Sequence, residues 1–172
     1  CDLQNQPDMI DKMTYESPTT GDRVGLSFIQ PKSADDLTRR RKMFKIWSDY
    51  TCGMFGRSPD FMNVMLASYG AACDAFDSEQ SQFGKNVSAY YEYARENDVV
   101  TTHALVSPQV DRSLAPDAQV KDIAARIVGE NDKGFIINGV RMLATLAAIA
   151  DEIVVMPAPS YPLTDEEEAK TH

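Results

Sequence analysis

The sequence predicts an α+β fold in which helices come first and antiparallel strands follow. Three observations carry that prediction: capped stretches of helical period between Ser33 and Asn97, short β-branched runs beyond Asn97-Asp98, and turn-forming words between those runs. The boundary falls near residue 100. It divides the chain into a helical N-terminal domain at 1–99, with an extended segment at 1–32, and a partial β domain at 100–172.

Each element has a local reason. Ser17-Pro18-Thr19-Thr20-Gly21-Asp22 is a cluster of turn formers. Val24, Leu26 and Phe28 then alternate with small or polar residues, the period of a strand, which Pro31 ends. Ser33 is a good N-cap, and Asp35 and Asp36 put negative charge in the first turn, where the helix dipole favours it. That helix should run to about Tyr50, with Leu37, Phe44, Trp47 and, one turn on, Met54 on one stripe. Arg39, Arg40, Arg41 and Lys42 read as a solvated helix face.

Gly53 and Gly56 break the pattern. A second helix starts near Pro59, with Ser58 as cap, and passes through Met62, Met65, Leu66, Tyr69 and Cys73. A third covers roughly 80–97, with Phe83, Val87, Tyr90, Tyr91 and Ala94 inward. The Met and aromatic stripes read as core. Val99–Val106 is rich in β-branched residues, Pro108 stops it, and 107–118 is a polar loop. Ile123–Val128, Phe135–Val140 and Ile153–Met156 are strand-like. Asn131-Asp132-Lys133-Gly134 is a hairpin turn and Asn138-Gly139 a second one. Thr164–Lys170 is an acidic linker or loop.

Composition excludes several function classes. The chain is 43% hydrophobic and 25% charged, ordinary for a globular protein. A net charge of -9 argues against a nucleic-acid footprint or an anionic membrane surface, both of which need a basic face. The longest apolar run, Met142–Ala150, is far short of the roughly 20 residues a membrane helix needs. Cysteines at 1, 52 and 73 make no CxxC pair and no disulfide framework, which fits a reduced, cytoplasmic setting. The chain opens on Cys1 and closes on Ala169-Lys170-Thr171-His172 straight after an acidic stretch, so it is expected to be a piece of a longer polypeptide.

The usual catalytic motifs are missing. The histidines are His103 and the terminal His172, with no HxxxH, so no zinc site is expected. There is no GxGxxG, GxxxxGK[ST] or GxSxG. From the residues alone, Arg57 reads as an exposed arginine beside a helix start and His103 as a core histidine on a strand, and Thr145 can be a strand threonine.

What remains is a set of uncommon words. Tyr15-Glu16-Ser17-Pro18-Thr19-Thr20-Gly21-Asp22 is followed by Val24-Gly25-Leu26-Ser27-Phe28. Then come Met54-Phe55-Gly56-Arg57-Ser58-Pro59-Asp60-Phe61 and Tyr90-Tyr91-Glu92-Tyr93-Ala94-Arg95-Glu96-Asn97-Asp98. Thr102-His103-Ala104-Leu105-Val106-Ser107-Pro108-Gln109-Val110-Asp111-Arg112 and Gly139-Val140-Arg141-Met142-Leu143-Ala144-Thr145-Leu146-Ala147 complete the set. In this order and spacing the chain, from about Leu3 onward, resembles the 4-hydroxyphenylacetate 3-hydroxylase family, the oxygenase components of two-component phenol hydroxylases.

The resemblance implies an acyl-CoA dehydrogenase-like fold, truncated here: a helical domain and the start of a middle β domain, without the C-terminal helix bundle that builds a homotetramer. It implies FAD, supplied as FADH2 by a separate NAD(P)H-dependent flavin reductase, and O2 as co-substrate. A flavin C4a-hydroperoxide then hydroxylates a phenol ortho to its hydroxyl. The flavin carries that chemistry and the protein keeps it dry.

By the same resemblance, Arg57 and His103 are the catalytic pair and also touch the phenol. Arg57 stabilises phenolate character, and His103 hydrogen-bonds the phenol and moves a proton. His103, Ala104 and Leu105 form one flavin-facing segment. Gln109, Val110, Asp111 and Arg112 form a second, with side-chain donors on Gln109 and Arg112. Thr145 matches a flavin-contacting threonine.

Phe61 stands where the family often has a substrate-contacting tyrosine. Phenylalanine keeps the aromatic wall but loses a hydrogen bond, worth on the order of 1 kcal/mol. This substitution points to a different, bulkier or less polar phenol than 4-hydroxyphenylacetate. Asp74–Gln82 reads as a short insertion in a helix connection, and the substrate loop after the middle strand falls near Pro157–Ser160.

Two other readings compete. One is a non-catalytic fragment or oligomerisation module of that fold. The other is a hydroxyacyl-CoA dehydratase relative with FAD and an iron–sulfur cluster, which needs several converging thiolates where this chain offers only Cys52 near the right region.

Overall fold

The computed structural model describes residues 3–54, 60–78, 81–114 and 123–156. Ser58, Pro59, the 157–160 loop and the 164–170 stretch lie outside them. Two compact units form: Cys1–Thr101 with Ile149–Glu152, and Thr102–Ala148 with Ile153–His172.

The first unit opens with a short helix α1 (Ile10–Met13) and the hairpin β1 (Thr14–Glu16) and β2 (Arg23–Gly25). The register pairs Tyr15 with Val24. The Ser17–Asp22 cluster makes the turn, with Ser17 N donating to Asp22 O at 2.8 Å. The expected strand through Phe28 stops at Gly25. Leu26–Phe28 is instead a 3-10 turn in which all three residues are buried. A strand would have lined Leu26 and Phe28 on one face and turned Ser27 away; the tight turn buries Ser27 as well, and sends Leu26 and Phe28 into two different core clusters.

Helix α2 (Ala34–Tyr50) starts where Ser33 predicts, in a full capping box: Asp36 N donates to Ser33 Oγ at 3.2 Å and Ser33 N to Asp36 Oδ2 at 3.0 Å. Its buried stripe centres on Met43, with Phe44, Ile46 and Trp47 packed beside it. Leu37 and Met54 are exposed, contrary to the expected stripe, because the helix ends at Tyr50 and its core face is set by Met43.

Helices α3 (Asp60–Ala71) and α4 (Phe83–Glu96) form the main helical pair. Met62, Asn63, Leu66 and Ala67 are buried on α3, and Gly84, Tyr91, Ala94 and Arg95 on α4, while Tyr69 and Phe83 turn outward. Gly70 lets the two helices meet: a Cβ there would lie 2.7 Å from the Tyr91 ring. The connection holds a 3-10 turn (Cys73–Phe76) and the paired residues of β3 (Asp77–Ser78) and β4 (Ser81–Gln82).

A polar network closes the N-terminal turn against α4. Ser17 Oγ and Thr20 Oγ1 donate to Glu96 at 2.6 and 2.8 Å, and Arg95 Nε donates to Glu96 at 2.7 Å. Arg95 is only 5% exposed and sits 5.1 Å over the Tyr91 ring, so its buried charge has both a carboxylate and a π face. Desolvation acts on Glu96 first, but the hydrogen bonds from Ser17, Arg95 and Thr20 outweigh it and hold the carboxyl below its ordinary range. Residues 149–152 return to this unit. Val100 N donates to Asp151 Oδ2 at 2.9 Å, Asp151 N to Val100 O at 2.8 Å, and Tyr90 OH to Glu152 Oε2 at 2.6 Å.

Beyond α4 the described residues form four further strands. β5 (Thr101–Ala104) pairs with β8 (Glu152–Val155), and β6 (Arg126–Asn131) pairs antiparallel with β7 (Gly134–Asn138). The turn Asn131–Gly134 closes that hairpin as its sequence predicts. Asn138-Gly139 is not a second hairpin turn. The chain runs on, and Val140 bridges Ala124 in parallel.

Candidate functional site

β5 is stiffened by its threonines and presents buried Thr101, Thr102 and Ala104 with half-buried His103. Past Ala104 the strip continues. Met142 N donates to Val106 O at 2.8 Å, and on the other side of the 140–142 strip Val140 N donates to Ile123 O at 2.8 Å. Ala125 N returns a bond to Val140 O at 3.2 Å. Three short segments, 104–107, 140–142 and 123–125, are thereby laced together. Gly139 makes the lacing possible: its φ is +118°, and a Cβ there would lie 2.4 Å from Ala124 O.

Pro108 then releases the chain into a loop on which Gln109, Val110, Asp111 and Arg112 are all exposed. The loop shapes itself. Gln109 Nε2 donates to Leu114 O at 3.3 Å, and Ser113 Oγ and N donate to Asp111 Oδ1 at 2.6 and 2.9 Å. Those Ser113 bonds hold the Asp111 carboxyl below its ordinary range. Thr145 is exposed in a turn, not in a strand. Two residues earlier Leu143 has φ +68° and is 70% exposed, a strained backbone position for a leucine.

One residue of this region escaped sequence reasoning. Arg141 donates from one terminal nitrogen to Ser107 Oγ and from the other to Ala125 O at 3.4 Å. Its Nε is buried and has no hydrogen-bond partner among the described residues. The word Gly139–Ala147 contains Arg141, but nothing in its local pattern reveals partners 34 and 16 residues away.

The first unit holds Phe61, half-buried in the first turn of α3. That turn is fixed by buried Asn63, whose Nδ2 donates to Ser27 Oγ at 3.0 Å, while Ser27 Oγ donates to Asp60 Oδ1 at 3.3 Å. Arg57 lies outside the described residues. His103, Ala104, Leu105, Gln109–Arg112 and Thr145 all belong to the second unit, where the 104–107 and 140–142 strips bond directly. Cys52 follows α2 and Cys73 opens the 3-10 turn after α3. Among the described residues no group of three His, Cys, Asp or Glu side chains could hold a metal ion, and no helix is long and apolar enough to cross a membrane.

Residues 1–171 match the family model described as 4-hydroxyphenylacetate 3-hydroxylase N terminal. The chain belongs to the 4-hydroxyphenylacetate 3-hydroxylase family. It is 42% identical over 159 residues to the 4-hydroxyphenylacetate 3-monooxygenase oxygenase component of Geobacillus sp. (strain PA-9), covering 92% of this chain and 32% of that protein. The oxygenase component of Thermus thermophilus is 41% identical over 158 residues, covering 91% and 31%. The chain spans about a third of the length of these curated relatives.

A crystal structure of the oxygenase component (HpaB) of 4-hydroxyphenylacetate 3-monooxygenase complexed with FAD and 4-hydroxyphenylacetate superposes with a TM-score of 0.81 at 41% identity, covering 91% of this chain and 32% of that one. An archaeal 4-hydroxybutyryl-CoA dehydratase from N. maritimus, at 23% identity and a TM-score of 0.72 over 91% of this chain and 31% of that one, shares the fold alone. The α+β, acyl-CoA dehydrogenase-like fold expected for the family is the fold of this chain.

Proposed function

We propose that this chain builds the front of the flavin site of a two-component, FAD-dependent monooxygenase that hydroxylates a 4-hydroxyphenylacetate-like phenol ortho to its hydroxyl. The observation that carries the reading is the 41% identity and TM-score of 0.81 to an oxygenase component complexed with FAD and that phenol. The donor set fits a flavin: a half-buried imidazole on β5, an exposed loop carrying the Gln109 amide and the Arg112 guanidinium, and an exposed Thr145 hydroxyl.

Reduced FAD, when bound, supplies the oxygen-activating chemistry, with O2 as co-substrate. His103 hydrogen-bonds the phenol oxygen and moves a proton, as an imidazole near neutral pH can do in either direction. Arg57 holds a fixed cation against the developing phenolate. Phe61 walls the phenol without a hydrogen bond to it. Ala104 and Leu105 offer backbone contacts; Gln109, Arg112 and Thr145 offer donors to the flavin edge and phosphates; Val110 and Asp111 shape the loop between. On this reading the chain comprises a helical domain at 1–99 and a partial middle β domain at 100–172. The complete protein works in the cytoplasm as a homotetramer and takes its FADH2 from an NAD(P)H-dependent flavin reductase.

The test mixes the complete polypeptide that carries this chain with chemically reduced FAD, oxygen and a panel of phenols. Catechol formation is expected. No catechol from any phenol, with reduced flavin consumed at its free rate, sinks the proposal. His103→Ala should keep oxygen consumption while losing most of the catechol. Phe61→Tyr should raise turnover of 4-hydroxyphenylacetate; no gain removes the argument that Phe61 shifts the substrate.

A further inference from the structure

We infer that Arg141 is a positioning residue for the flavin-facing loop, holding Gln109–Arg112 and Thr145 at a fixed separation before any flavin binds. The inference rests on the flavin reading of those two segments. Arg141 stands on the middle strip of three, and its guanidinium bonds both flanks: Ser107 Oγ on one side and Ala125 O on the other. The backbone of the same strip bonds the same flanks, through Met142 N to Val106 O and Val140 N to Ile123 O. Two residues beyond Ser107 the flavin-facing loop begins, and four residues beyond Arg141 stands Thr145.

Within the loop, Gln109 bonds Leu114 and Ser113 bonds Asp111, and these bonds give it shape. At the loop's base, the bond from Arg141 to Ser107 ties it to the neighbouring strip through a side chain. A guanidinium suits this position because its fixed planar fork reaches two acceptors in different directions at once. A lysine ammonium on a flexible stem satisfies one of them in the same pose. The charge is half-buried, so removing the acceptors or the fork leaves polar groups without compensation, and the strips should part locally.

The experiment uses the complete polypeptide without flavin and compares wild type, Arg141→Met, Arg141→Lys and Ser107→Ala. Hydrogen exchange is followed in 106–114 and 140–146, with α3 and α4 amides as internal controls. Arg141→Met should speed exchange in both segments by about tenfold or more, with α3 and α4 unchanged. Affinity for FADH2 should fall by about tenfold in the same variant. Arg141→Lys should recover part of both effects, and Ser107→Ala should speed the 106–114 segment alone.

Unchanged exchange in Arg141→Met overturns the inference. Faster exchange with unchanged flavin affinity overturns it too, and locates the error in the flavin reading of Gln109–Arg112, since the clamp itself would then be real. If Arg141→Met does not fold, Ser107→Ala decides: no change in its 106–114 exchange sinks the clamp.

Discussion

The two units treat similar apolar residues in opposite ways. In the first, Phe28, Met13, Leu26, Met43 and Met62 are all below 2% exposed. In the second, Phe135, Ile136 and Ile137 on β7 are 62%, 51% and 59% exposed, although they form an unbroken apolar run. Strand propensity and a good turn are enough to pair β6 with β7. Burial needs a second layer, and a two-stranded ribbon does not supply one. The first unit should therefore carry the stability, and the second the adaptable surfaces on which the proposed flavin contacts lie.

The strongest challenge to this contrast is Phe28→Ala. Phe28 is 0% exposed in the core cluster with Leu66, Tyr91, Ala94 and Val99, so the loss should be about 3–5 kcal/mol. Denaturation followed by the fluorescence of Trp47, the one tryptophan, reports it from the same unit. A loss under about 1 kcal/mol would mean that the first unit is not the stable one.

Next in size is Gly139→Ala. The added Cβ meets Ala124 O in a positive-φ position, which should cost about 2 kcal/mol. Amides of Ile123–Ala125 and Val140 should exchange faster while the Trp47 midpoint stays put. A moved midpoint would show that the units unfold as one.

Acid should act on the first unit by a smaller amount. The Glu96 carboxyl is held below its ordinary range in the fold. Its contribution is therefore present above the unfolded value and lost as pH falls through the folded one. The Trp47 midpoint should drop below the ordinary glutamate range, by on the order of 1 kcal/mol from this group, and Glu96→Gln should flatten that part of the slope. An unaltered slope in the variant would remove Glu96 as the cause. Smallest of all, Phe135→Ser on exposed β7 should change the chain's stability by no more than about 0.5 kcal/mol by calorimetry. A larger loss would show that β7 is covered after all.

Local chemistry was the part of the fold that sequence revealed best. Ser33 and Asp36 announce their capping box, and Asn131–Gly134 announces its hairpin, because each signal needs only neighbours. Leu26–Phe28 misled, since its strand-like alternation gave way to a turn that buries all three residues. Asn138-Gly139 misled for a related reason: the positive φ of Gly139 serves close approach to Ala124, not chain reversal. The candidate site was legible only through the family's words. Charge and periodicity never separated His103 from a core histidine or Thr145 from a strand threonine. Arg141 was invisible even in its own word, because its meaning lies in Ser107 and Ala125, brought near by strips that pair over long sequence distances.

The return of Ile149–Glu152 to the first unit has a consequence for how the chain can be cut. The backbone crosses between units at 101/102, again at 148/149 and again at 152/153. Neither unit is one continuous piece. A protease that nicks the exposed 109–112 stretch would leave two fragments, yet the downstream one still carries Asp151 and Glu152, bonded to Val100 and Tyr90 of the upstream one. Such a nicked protein should migrate as two bands under denaturing conditions and as one particle in native buffer. The same stitching makes the 109–112 stretch a natural split point for reassembling the chain from two separately expressed halves.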